Sequence, residues 1–369
     1  MIESKNNGDS KENNEFNDGS DKNGSNEGNV SMNTGNYNDS RIDNSAESAE
    51  TAANGKSSKQ GKDYRTSIGG QALIEGVMMR GPKKQAVVVK TKDGFITDVS
   101  DIKLIKDKYP IVGFVFIRGV VNLISSMAIG MKALMFSADC LPEEEQEEPS
   151  KLDIWITEKV GSEKADKIII TIAMVLGVAL SVGLFIILPT FLAGYISRIT
   201  ENRILKSLIE GVLRIVIFLA YMWLATRLND IKRVWAFHGA EHKAIFCYEK
   251  GLPLTVENAR KQSRQHPRCG TSFMFIVMIV SIFVFSFTGW ENIWIRIGFR
   301  LLLLPVVIAI SYEIIKLAGR YDNLVTSIVS APGKALQRLT TREPDDEMLE
   351  TALEALRLVI PEDEAEARW

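Results

Sequence analysis

The stretch Ile168–Ile196, IIITIAMVLGVALSVGLFIILPTFLAGYI, runs 29 residues without a charged side chain. About 20 apolar residues in a helix cover the hydrocarbon core of a bilayer, so this segment decides the fold class. Three more runs approach or reach that length, at Leu208–Leu228, Phe273–Gly289 and Ile297–Leu317. Together they predict a mainly α, polytopic membrane protein with about four spans. Charge inside the runs is sparse. Glu210 and Arg214 stand four apart and can neutralise each other, while Arg300 and Glu313 lie near opposite ends of the last run.

Upstream, residues 111–138 are apolar but interrupted by Arg118, Asn122 and Lys132. Each charge near a bilayer centre costs about 2.5–3.5 kcal/mol on insertion scales, which predicts an interfacial or re-entrant helix here. Loop charge sets the orientation. Residues 229–272 hold eight Lys or Arg, against only Arg296 in 290–296. The positive-inside rule then makes the long central loop and both termini cytoplasmic. The first residues, Met1–Asn7, lack the apolar centre of a signal peptide, so insertion is expected from the internal runs.

The remainder divides by composition. The 369 residues carry 44 Lys+Arg against 46 Asp+Glu, a balance without the basic domain of a nucleic-acid binder. The mean hydropathy of +0.01 averages two unlike parts. Residues 1–62, rich in Asn, Ser, Gly, Asp and Lys, cannot offset their chain entropy by burial and are expected to be a disordered tail. In 63–110, β-branched and apolar runs at Ala72–Met79, Ala86–Lys90 and Phe95–Ile105 are punctuated by Gly81-Pro82 and Asp93-Gly94, predicting a small, mostly antiparallel sheet. An acidic linker and helix occupy 139–167. The spans then fall into pairs at 168–228 and 273–318, flanking the loop 229–272. In 319–369, Pro344 and Asp345–Glu347 begin a helix whose Met348, Leu349, Ala352, Leu353, Leu356 and Val359 recur at helical spacing, as in an amphipathic helix docked on a cytoplasmic domain. The three cysteines, Cys140, Cys247 and Cys269, form no disulfide set and suit a reducing compartment.

Every histidine of the chain, His238, His242 and His266, falls within 29 residues of the central loop. His238 and His242 share a helix face, and Glu241 between them completes the H-x-x-E-H order of inverted zincins. In that order the two imidazoles hold a divalent metal, with zinc favoured, and the Glu serves as general base. His266 and Cys269 follow in the run HPRCG and extend the candidate ligand set to four. Three ligands and a water make a catalytic site, and four closed ligands make a structural one. The alternative is that these imidazoles pair with carboxylates in an interfacial helix. Cys247, after Ile245 and Phe246, reads as a buried hydrophobe. Glu257, Arg260, Lys261 and Arg264 share a predicted helix face, with Arg268 just beyond. This cationic stretch can bind an anionic substrate or lipid headgroup, or simply serve topology.

Several runs match one pattern: Gly69–Pro82 (GGQALIEGVMMRGP), Phe237–Lys243 (FHGAEHK), His266–Phe273 (HPRCGTSF) and Leu339–Pro344 (LTTREP). Through them the chain, over about residues 64–358, resembles the bacterial membrane-protein family typified by YqhQ. That family has no assigned function and is often labelled a metal-dependent enzyme. The resemblance implies an integral bacterial inner-membrane protein. It also draws Glu75 and Arg80 toward the histidine cluster as supporting residues. Independently of the resemblance, Glu313, near the end of the last run beside Lys316, is a further candidate ligand or proton acceptor. The resulting expectation is a metal-dependent, zinc, hydrolase-like protein acting at the cytoplasmic membrane face, its catalytic base Glu241 and its ligands His238, His242, His266 and Cys269. Its rival is a non-enzymatic membrane scaffold with a structural His/Cys metal site. A transporter is disfavoured, since only Pro189 and Pro305 interrupt the runs.

Overall fold

The computed structural model describes residues 65–102, 110–142, 151–196, 202–289, 292–321 and 323–368. The expected tail, 1–62, and the acidic run Glu143–Glu148 lie outside them.

Four strands, β1 (Gly69–Leu73), β2 (Gly76–Arg80), β3 (Lys84–Thr91) and β4 (Gly94–Asp101), form an antiparallel meander in the order β1-β2-β3-β4. Two-residue turns join β1 to β2 and β3 to β4, with Leu73 paired to Gly76 and Thr91 to Gly94. Gly94 takes φ 130°, as its turn requires. Glu75 takes φ 51°, a conformation usually left to glycine, and so splits the apolar run 72–79 into two strands. Ala86, Val87, Val88 and Val89 are all buried because the sheet is covered on both sides. Val77, Met79, Ala86 and Val88 face one core; Leu73, Met78, Val87 and Val89 face another.

Eleven helices follow among the described residues. Helix α1 (Val115–Asp139) covers the second sheet face with Ala133 and its neighbours. Helices α2 (Lys151–Val160) and α3 (Ser162–Val182) lead into a single π turn, Gly183–Ile187, then α4 (Leu188–Ile196) and α5 (Arg203–Ala225). The histidine pair rides on α6 (Asn229–Glu249), followed by the short α7 (Val256–Arg260). Next come α8 (Gly270–Ser286), α9 (Ile293–Arg320), α10 (Leu324–Thr340) and α11 (Asp346–Arg357). Asp345 caps α11, accepting from Met348 N–H at 2.9 Å. Leu349, Leu353 and Leu356 of α11 pack with Phe237, Ala240 and Ala244 of α6 in the first sheet core. Sheet, α6 and α11 therefore form one domain.

Among the described residues, four helices are long and apolar enough to cross a membrane: Val115–Asp139, Ile168–Tyr195, Ile204–Ala225 and Ile293–Arg320. This mainly helical architecture with a small antiparallel sheet is that of a membrane protein. The set differs from the expected one in two places. The 111–138 segment contains a continuous helix, and α8, over the expected third span, is only 17 residues long. Two of the polar residues that argued against a span at 111–138 have partners. Arg118 forms an ion pair with Glu313 of α9, and Asn122 donates to Tyr312 Oη at 2.8 Å.

A second polar knot joins α4, whose Thr190 hydroxyl donates to Glu210 at 3.0 Å, to α5, α8 and α9. Glu210 accepts from Arg214 at 3.1 Å and from Arg300, whose second nitrogen reaches it at 2.5 Å. Arg214 also donates to Ser281 Oγ at 2.7 Å and to the Phe185 carbonyl at 3.0 Å. Such groups survive in apolar surroundings only when paired and hydrogen-bonded. The knot thus ties four helices at one level.

Candidate metal centre

The site forms where α6, the start of α8 and the end of α10 meet. His238 and His242, one turn apart on α6, hold their rings 4.4 Å apart between centroids. Cys269, immediately before α8, brings Sγ to 3.1 Å from His238 Nε2. One ligand atom from each of His238, His242 and Cys269 lies within 4.8 Å of the other two. Donors bound to one zinc ion at 2.0–2.3 Å lie roughly 3.3–3.8 Å apart, so small side-chain movements complete the set.

The backbone selects the nitrogens that face this point. His238 Nδ1 donates to the Thr340 carbonyl at 2.9 Å, and His242 Nδ1 donates to the Arg264 carbonyl at 2.6 Å. A carbonyl can only accept, so both Nδ1 atoms carry the proton and both Nε2 atoms are left as ligands. The electrostatics follow. Burial alone would push the Cys269 thiol up, but the facing imidazoles of His238 and His242 hold it well below the ordinary thiol range. Burial works to lower His238, yet Cys269, Glu241 and the Thr340 carbonyl together outweigh it and push His238 up to about 9. Thiolate and imidazolium thus stabilise each other, and a cation can take the proton's place.

Glu241 is only 5% exposed. Burial raises its carboxyl above the usual range, while His242 and His238 pull it back down. The Gly70 N–H of β1 binds that carboxylate. A side chain at Gly70 would press on Glu241 Cγ and the Met78 carbonyl, at 2.9 and 2.7 Å, so the close approach needs glycine.

His266 does not join the triad. Its Nε2 faces Arg268 at 3.2 Å and Glu249 at 3.6 Å, and burial lowers it to about 4. Its backbone is clamped by Gln337, which accepts from the N–H and donates to the carbonyl, both at 2.7 Å. Its ring lies 5.5 Å from that of His242, as a wall of the site. Glu75 pairs with Arg233 and Glu313 with Arg118, so neither comes to the triad; Arg80 ends β2, half-buried.

The expected cationic helix face is corrected. Helix α7 stops at Arg260, because the Arg264 carbonyl is drawn to His242 and the Arg264 side chain donates to the Thr341 carbonyl at 2.9 Å. Arg260 pairs with Asp346, Lys261 with Glu257 at 2.7 Å, and Arg268 with Glu249. The residues that sequence reading missed, Thr340, Gly70, Gln337 and Glu249, act largely through backbone groups or long-range contacts. The quoted runs GGQAL and LTTREP contain two of them but do not reveal that role.

A protein of Bacillus subtilis (strain 168) named "Uncharacterized protein YqhQ" is 34% identical over 292 residues, covering 78% of this chain and 90% of that one. No solved structure matches. Residues 114–362 match the family described as "Protein of unknown function (DUF1385)". Two long matches of this kind, one to a family and one to a full-length relative, place the chain in the YqhQ-like DUF1385 family.

Proposed function

We propose that the protein is a metal-dependent hydrolase of the membrane surface, with zinc the ion its donors suit best. His238 Nε2, His242 Nε2 and Cys269 Sγ would hold the ion. The observation that carries this reading is the pair of Nδ1–carbonyl hydrogen bonds, which aim both Nε2 atoms at the Cys269 sulfur. With His266 engaged elsewhere, three donors leave a coordination position for water or substrate, the arrangement of catalytic sites. A zinc ion so held supplies Lewis acidity and a more acidic water. Glu241, a buried carboxyl with a raised pKa, is suited to accept a proton beside the imidazoles, and the Gly70 N–H keeps it oriented.

The architecture also supports a topology. Residues 69–101, 229–249 and 346–357 share one domain, so they occupy one side of the membrane. An even number of crossings must separate them. Between the sheet and α6, the run α3–α4 and helix α5 supply two, leaving α1 to lie in or re-enter the interface despite its length. Between α6 and α11, α8 and α9 supply two, so the short α8, about 25 Å long, also crosses. The cations of 229–272 favour the cytoplasmic side for this domain, in keeping with a protein of the bacterial inner membrane.

Near-complete burial of His242, 1% exposed, favours one rival reading, a scaffold stapled by a structural metal. One experiment separates the two. Full-length protein in detergent should hold about one equivalent of zinc by mass spectrometry, and His242→Ala should hold none. Glu241→Gln should keep the metal but lose hydrolysis across a panel of ester, amide and phosphate-ester substrates. Folded wild type that takes up no zinc overturns the metal reading. Unfolding of the domain by chelators, with no activity that depends on Glu241, establishes the scaffold.

A further inference from the structure

A cavity of about 400 Å³ lies between the ends of α6 and α9 and the start of α10, its wall including Phe246, Glu249 and Arg268, the neighbours of His266. Four cations line it, Arg65, Lys250, Arg268 and Lys334, against one carboxylate, Glu249. Glu249 is already engaged with Arg268 and with the Thr66 N–H at 2.8 Å. The lining therefore carries three formal positive charges in excess. Lys250 uses one donor, to Gln262 Oε1 at 2.8 Å, and an ammonium has three. Hydroxyls of Thr326 and Ser330 complete the wall on the side of α10.

Helix α10 sets the depth of this cavity. Thr326, Ser330 and Lys334, four apart, face it. Gly333 and Gln337 lie against Ser272 of α8. The third face, Leu324, Val325 and Ile328, is bare, at 77%, 67% and 63% exposure. A helix with one naked apolar face, beside helices able to span, lies in the bilayer interface with that face toward the acyl chains. The face that carries Thr326, Ser330 and Lys334 then stands at the level of the headgroups.

We infer that this cavity is a binding site for the phosphate group of a phosphate ester, presented at the membrane surface. Converging guanidinium and ammonium groups suit phosphate oxygens, and the volume suits a headgroup-sized ligand. The wall reaches the metal centre through His266, whose ring meets Phe246 at 4.7 Å and whose Nε2 faces Arg268. Binding does not depend on the metal; only the identification of this ester as the substrate rests on the hydrolase reading.

The test uses full-length protein in detergent, by native mass spectrometry with phosphatidylglycerol or phosphatidylcholine and by thermal shift with glycerol 3-phosphate. Phosphatidylglycerol should be retained over phosphatidylcholine, and the double variant Lys250→Glu, Lys334→Glu should weaken retention roughly thirtyfold or more. If glycerol 3-phosphate stabilises the wild type and not the variant, the phosphate comes from a soluble ester. If only phosphatidylglycerol responds, it comes from a lipid. Equal retention of both lipids without a glycerol 3-phosphate response overturns the site, as does undiminished binding in the variant. Lys250→Ala, Lys334→Ala carries the same test should the reversed charges impair folding. Zinc content, measured on the same samples, reports separately on the metal reading.

Discussion

At the scale of single residues, His266 shows how position overrides residue type. It sits in the same run as Cys269, yet Gln337, Glu249 and Arg268 turn it into a buried wall rather than a ligand. Burial depresses its pKa to about 4, so the folded state keeps it neutral while an unfolded chain protonates near 6.5. The unfolded state therefore binds more protons between these values. The contribution is fully present above about pH 6.5 and is lost as pH falls toward 4, by about 3 kcal/mol. His266→Gln should flatten the fall in melting temperature over this window, with zinc content near wild type. An equally steep fall in the variant would assign the pH dependence to other groups, and loss of zinc would make His266 a ligand.

At the scale of elements, α6 is positioned by what crosses it. Gly239, next to the site residue His238, lies against the Arg342 carbonyl, which a Cβ would overlap. Arg342 N–H donates to the Trp235 carbonyl at 2.8 Å, so the segment after α10 is laid along α6. That contact presents the Thr340 carbonyl to His238. In an exposed helix, Gly→Ala would stabilise by up to about 1 kcal/mol. Here Gly239→Ala should instead destabilise by about 1–3 kcal/mol, through overpacking against backbone. It should also weaken zinc binding, as titration with a chelator would measure. A more stable variant with unchanged zinc affinity would refute the packing account.

At the scale of the whole molecule, the topology proposed above rests on shared cores rather than on helix length. Helix α1 is long enough to cross and α8 falls short of the usual length, yet in that proposal the single domain formed by the sheet, α6 and α11 has α8 cross and α1 stay at the interface. Membrane-impermeant maleimide on intact cells tests this. Asp93→Cys and Asp139→Cys should stay unlabelled, while Gly289→Cys, between α8 and α9, should label. Labelling at position 139 but not at 93 would make α1 a full crossing and break the parity argument.

The sequence by itself determined the fold class and the chemistry on offer. Long uncharged runs have few stable arrangements outside a bilayer, and alternating β-branched runs with turn residues specify a small sheet. The i, i+4 spacing put His238 and His242 on one helix face, since local geometry alone decides that. Only tertiary structure decided which donors meet. Cys269 arrives from 27 positions beyond His242, and the carbonyls that select Nε2 belong to Arg264 and Thr340. Arg118, read from the sequence as a charge against a span, meets its partner Glu313 195 residues away. The cations of the cavity likewise come from four separate segments rather than from one helix face. Periodicity reports which way a residue points within its own element. Which residue it meets depends on how the elements pack, and that is set by the burial of whole faces rather than by any local motif.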